Sequence, residues 1–162
     1  MSVIGKKRDK EKEVGEFFTN RYNKKHNKNY IARMDEEDKD LDCIMESENN
    51  KIGLQITTYD VKSIENLVEA HRHPWEVAFC NPKYVECVKM AILNKNKWVK
   101  NNHFLLIWSN GLIGFNHEYI KEQTLDEYGK SNYRKIYLIK LPNTENAWPR
   151  NEFDEWDVIE LK

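Results

Sequence analysis

The stretch LDCIMESENNKIGLQITT, Leu41 to Thr58, carries the reading of this chain. LDCIMES (Leu41 to Ser47) and KIGLQITT (Lys51 to Thr58) are both β-prone, and between them lies SENN, a polar run ending in two asparagines. Asparagine tolerates the backbone of tight turns and hydrogen-bonds within them, so the segment predicts an antiparallel hairpin. Strand alternation then puts Asp40, Asp42 and Ile44 on one face of the first strand, and Gly53, Gln55 and Thr57 on one face of the second. Asp42 and Gln55 are expected to face the same side. A carboxylate and a side-chain carbonyl, joined by a backbone carbonyl of the second strand, are hard oxygen ligands suited to Mg²⁺ or Mn²⁺. Such an ion can activate water for attack on a phosphodiester.

Working outward, Val14, Phe17, Phe18 and Tyr22 recur at helical spacing, which predicts an amphipathic helix from about Lys10 to His26. YIARM (Tyr30 to Met34) reads as a short strand, and the polar DEEDKD run after it as the connection back. From Asp60 to Phe79 the pattern is mixed, since HRHPW interrupts a helix-like start. Asn81 resembles an N-cap with Pro82 at the first helical position, and Val85, Val88, Ile92 and Val99 carry a stripe to about Asn101. HFLLIWS (His103 to Ser109) reads as a buried strand, NHEYIKEQTLDEY as a helix, YRKIYLIKL (Tyr133 to Leu141) as a strand, and WDVIEL as an edge strand. Helix, strands, helix and strands in this order predict one α/β domain: a central sheet with helices packed on it.

Composition sets the limits. The chain has 162 residues, enough for one sizeable core and too few for two comfortable ones. We expect a flexible basic N-terminus over residues 1–10 and a single domain over 11–162. With a formal net charge of −1, no overall basic field draws it to nucleic acid, so any attraction must be local. One local source exists: from Lys6 to Lys28 basic residues outnumber acidic ones nine to four, making Lys24, Lys25 and Lys28 candidate phosphate contacts. Three cysteines without a CxxC pair indicate neither a disulfide framework nor a zinc ribbon, which fits a reducing cytoplasm. No apolar run suggests a signal peptide or a membrane span.

The helix bearing glutamate, then DLDCIM, then IGLQIT, then a long helix with ILNKNKW running into HFLLIW, resembles the restriction-endonuclease-like PD-(D/E)XK nuclease superfamily over residues 11–141. The resemblance implies a mixed central sheet flanked by helices, a bound Mg²⁺ or Mn²⁺, and a nucleic-acid substrate. It also implies roles. Asp42 takes the aspartate position, Gln55 the acid position and Thr57 the position of the lysine that supports the attacking water. Glutamine there is a family variation that keeps a ligand oxygen and loses a charge, whereas Thr57 supplies no ammonium. Lysine migrates in this superfamily; Lys95 on the long helix is the stand-in, with Lys51 and Lys62 behind it. For the first-helix glutamate the edge of the apolar stripe selects Glu13, with Glu11 next.

Other features have plainer readings. His71 and His73, without a paired ligand motif, read as structural or exposed, and the cysteines as small hydrophobes. The tryptophans read as packing. Loss of the strand lysine also admits a catalytically silent nuclease-like binding or regulatory module, of phage or mobile-element type, and a homodimer or protein partner fits the composition.

Overall fold

The computed structural model describes residues 3–34, 41–58, 81–96, 102–110, 117–141 and 157–162. Helix α1 covers Val3–His26, and strands β1 (Ile31–Met34), β2 (Cys43–Glu46) and β3 (Lys51–Thr58) come after it. Helix α2 (Asn81–Asn96) leads to β4 (His103–Asn110), helices α3 (His117–Gln123) and α4 (Leu125–Lys130) to β5 (Lys135–Leu141), and β6 (Asp157–Glu160) ends the set. The result is α/β: one six-stranded mixed sheet in the order β1-β2-β3-β4-β5-β6.

The Leu41–Thr58 segment forms the expected hairpin. β2 runs antiparallel to β3 with Cys43 opposite Leu54 and Glu46 opposite Lys51, and Ser47 N–H donates to Asn50 O at 2.9 Å to close the turn. β4 and β5 then add in parallel, Gln55 lying opposite Leu105 and Leu105 opposite Ile136. β6 returns antiparallel as the edge strand. Parallel neighbours need crossovers, and these are supplied by α2 and by the α3–α4 pair.

Alternation sorts each strand between two cores. Val14 and Phe18 of α1 pack with Cys43, Met45, Ile52, Leu54, Ile56, Phe104, Leu106 and Tyr137 on one face. Val88 and Ile92 of α2 pack with Leu105, Ile107, Ile136 and Leu138 on the other, where α3 and α4 contribute Ile120 and Tyr128. Each fully buried Leu, Ile or Phe contributes about 1.5–3 kcal/mol of transfer free energy, so these two cores hold the layers together.

Helix α1 stops where Asn27 takes a left-handed backbone (φ 53°) and Lys28 N–H donates back to Asn23 O at 3.0 Å. The Asn23 amide then pins the next element, accepting from Tyr30 N–H and donating to Tyr30 O, both at 2.8 Å. At its start, α1 begins at Val3, about two turns before the apolar stripe set it. The NHEYIKEQTLDEY pattern also differs from a single helix. Thr124 donates its hydroxyl to Ile120 O at 2.7 Å, a back-bond that bends helices, and the chain divides into α3 and α4 there. The DEEDKD connection and the Asp60–Phe79 segment lie outside the described residues.

Candidate functional site

The ladder between β2 and β3 ends at Cys43, and the Asp42 side chain sets the geometry beyond it. Asp42 N–H donates to Leu54 O at 3.1 Å, the carbonyl of the residue already opposite Cys43, so two residues oppose one as in a bulge. The Asp42 carboxylate Oδ2 accepts the Ile56 N–H at 2.7 Å, replacing the strand carbonyl that would otherwise meet it. A strand residue presents its N–H and C=O to the same edge, so the Ile56 carbonyl is directed to the edge where Asp42 sits. Gln55, the residue before Ile56, is 3% exposed. Its place opposite Leu105 puts its side chain on the α2 face. Asp42 and Gln55 are thus neighbours at the point where β2 has ended and β3 continues.

Tyr133 joins this neighbourhood from the other side. Its phenol is fully buried in the α2-face core, and burial first, then the negative charge of Asp42, raise its pKa far above the usual tyrosine value. Its hydroxyl donates to Lys95 O at 2.9 Å. The Tyr133 hydroxyl thus holds the backbone of Lys95, whose side chain is half-buried at the end of α2, while Asp42 acts on the phenol through its charge. Asn96 secures that end, donating to Lys130 O at 3.4 Å and accepting from Asn132 N–H at 3.1 Å. Tyr133 was expected only as the first residue of the YRKIYLIKL strand; it lies two residues ahead of β5, which begins at Lys135.

The helix carboxylate falls differently from expectation. Glu13 lies on the outward side of α1, paired with Lys10 at 3.0 Å and exposed. Glu11 is the buried one, at 8% exposure. It stands one turn before Gly15, where an added Cβ would be 3.0 Å from Cys43 Sγ and 3.5 Å from Ile56 Cδ1. The absent side chain at Gly15 lets α1 lie directly on β2 and β3, and residues four apart share a helix face, so Glu11 is carried toward the carboxyl end of β3. The apolar stripe alone did not separate the two, since both glutamates border it.

Thr57 is half-buried and donates its hydroxyl to Thr58 O at 3.3 Å. Lys51 pairs with Glu46 at 3.2 Å at the hairpin end, away from Asp42. Lys24 and Lys25 are exposed on the last turn of α1, and Lys28 just beyond it. Cys43 is buried with its thiol pushed up to about 11, chiefly by burial, so it is a packing group and not a nucleophile at neutral pH. Lys62, His71, His73 and Cys80 lie outside the described residues.

Among the described residues no three His, Cys, Asp or Glu side chains gather as a metal cluster. An ion here would rest on the Asp42 carboxylate, the Gln55 amide oxygen and the Ile56 carbonyl, a donor set of hard oxygens with one full charge. Among the described residues no helix is long and apolar enough to cross a membrane. Fold and site define an α/β domain in which the Asp42 carboxylate caps Ile56 N–H at the end of a central hairpin, next to buried Gln55. No family model, curated protein or solved structure matches the chain.

Proposed function

We propose that this chain is a divergent metal-dependent nuclease of the PD-(D/E)XK type, hydrolysing phosphodiester bonds in DNA or RNA from a cytoplasmic location. The observation that carries the reading is the Asp42 carboxylate held 2.7 Å from the Ile56 amide, beside buried Gln55. That bond orients the carboxylate at the end of the ladder, next to Gln55. A bound Mg²⁺ or Mn²⁺ would supply polarisation of a phosphoryl oxygen and a more acidic water. Asp42 and Gln55 would hold and orient it. Lys95, whose backbone carbonyl accepts the Tyr133 hydroxyl, is the cation we assign to the developing charge, and buried Glu11 is preferred to exposed Glu13 as the helix carboxylate. Lys24, Lys25 and Lys28 would receive phosphates.

A second reading has its own support. The Asp42–Ile56 bond is also a structural cap, and Thr57 stands where the superfamily's lysine would, which together suit a catalytically silent binding or regulatory module. Cleavage of labelled DNA and RNA under single-turnover conditions with Mn²⁺ separates the two. Cleavage that is lost in Asp42→Asn supports the nuclease; tight binding without cleavage supports the module.

A further inference from the structure

A groove of about 320 Å³ runs between the second half of α1 and the β5–β6 edge, on the face opposite α2. That volume lies at the lower end of the range for small-ligand sites and matches one nucleotide rather than a duplex. Its two walls differ in chemistry. The helix wall carries Arg21, Lys24, Lys25 and His26, of which the two lysines are exposed with no acidic partner among the described residues. The sheet wall carries Tyr137 and Val158, and its carboxylate, Glu160, is engaged by Lys135 at 2.6 Å. Phe18 and Tyr137, both buried in the core, close its floor, and the rings open to it are half-buried Tyr22 and exposed His26, with centroids 4.3 Å apart.

Cations on the last turn of a helix also complement its dipole, but that role does not call for an aromatic and apolar wall facing them. Cations beside ring faces are the combination that holds an unstacked base and its phosphate. In a duplex the base faces are occupied by their neighbours. The cationic line also continues past the helix end to exposed Lys28, which borders a second, polar groove beside β1 where Arg33 is engaged by Glu46 at 2.9 Å. A strand leaving the first groove would therefore meet a further phosphate partner in Lys28, whereas a free nucleotide would not use it.

We infer that this groove grips one unpaired nucleotide of a nucleic-acid strand, making the preferred partner single-stranded or single-stranded at its end. The inference rests on the nucleic-acid reading above and not on the Asp42 site. Tyr137 is two strands from Ile56, with Leu106 between them, a separation of about 10 Å at the usual strand spacing.

The test uses the full chain carrying Asp42→Asn, so that cleavage cannot intervene, and fluorescence anisotropy with a labelled oligonucleotide. The single strand is expected to bind about tenfold more tightly than a duplex of the same sequence. Val158→Trp fills the groove from an edge strand while leaving the cations, and should abolish that preference. Lys24→Ala with Lys25→Ala, both exposed, should weaken single-strand binding and lower its salt slope by about 1.4. Equal affinity for single strand and duplex overturns the inference, as does an unchanged preference in Val158→Trp, or AMP binding as tightly as the oligonucleotide. Absence of cleavage by the unmodified chain would count against the nuclease alone, because the strand preference is read without it.

Discussion

Asp42→Ala removes the acceptor at 2.7 Å from Ile56 N–H, a charge-assisted bond of the kind worth about 1.5–3 kcal/mol, and leaves a donor at the end of a ladder. Asp42→Asn keeps a carbonyl oxygen in the same reach and retains the neutral share, about 0.5–1.5 kcal/mol. The alanine variant should therefore be less stable than the asparagine variant by about 1 kcal/mol, and less stable than the parent by about 2 kcal/mol. With a urea m-value of about 2 kcal/mol/M, the midpoint moves down by about 1 M for alanine and about half that for asparagine, with m unchanged. Urea titration followed by far-ultraviolet circular dichroism measures both. Equal midpoints for Asp42→Ala and the parent would refute the capping role, and with it the geometry assigned to the Asp42–Gln55 neighbourhood.

Further expectations concern packing and pH. Phe18→Ala, removing a ring that meets Phe104 edge-on at 6.3 Å and Tyr137 at 4.7 Å, should cost about 3–5 kcal/mol by urea titration. Gly53→Ala would bring a Cβ within 2.8 Å of both His103 Cδ2 and Leu41 Cδ2, and should cost about 1–3 kcal/mol by the same titration. The folded chain keeps the Cys43 proton where the unfolded chain releases it, because burial raises the thiol from 9.0 to about 11. Stability should therefore fall as pH rises from about 9 to 11, by roughly 2–3 kcal/mol from this group, and less in Cys43→Ala over that range. Tyr128, raised by burial to about 12, extends the loss upward. Thiol mapping in native buffer at pH 8 should label half-buried Cys87 well before Cys43.

The elements that were legible are those whose signal is local. The SENN turn, the Val85/Val88/Ile92 stripe and the HFLLIWS run each became the hairpin, helix and strand their residues dictate. What the sequence left open depends on contacts between distant segments. Glu11 and Glu13 both border the helix stripe, and only the approach of Gly15 to Cys43 and Ile56 decides which is buried. The Tyr133 hydroxyl reaches Lys95 O, 38 residues away along the chain, a contact its local sequence does not signal. The Asp42 carboxylate was expected as a ligand on a regular strand, facing the same side as Gln55. The bulge that turns it onto the Ile56 amide has no marker in LDCIM.

Thermal unfolding of Gln55→Glu with and without MnCl₂ reports whether Gln55 occupies the proposed metal-ligand position beside Asp42. At a position 3% exposed, a carboxylate without a cation is costly, so metal-free Gln55→Glu should melt below the parent. An ion bound only by the folded chain raises stability by RT ln(1 + [L]/Kd), about 2.7 kcal/mol at one hundred times Kd. Mn²⁺ is therefore expected to raise the melting temperature of Gln55→Glu well beyond its effect on the parent, and adding Asp42→Asn should remove the gain. An equal Mn²⁺ effect on the parent and Gln55→Glu would show that Gln55 is not a ligand position.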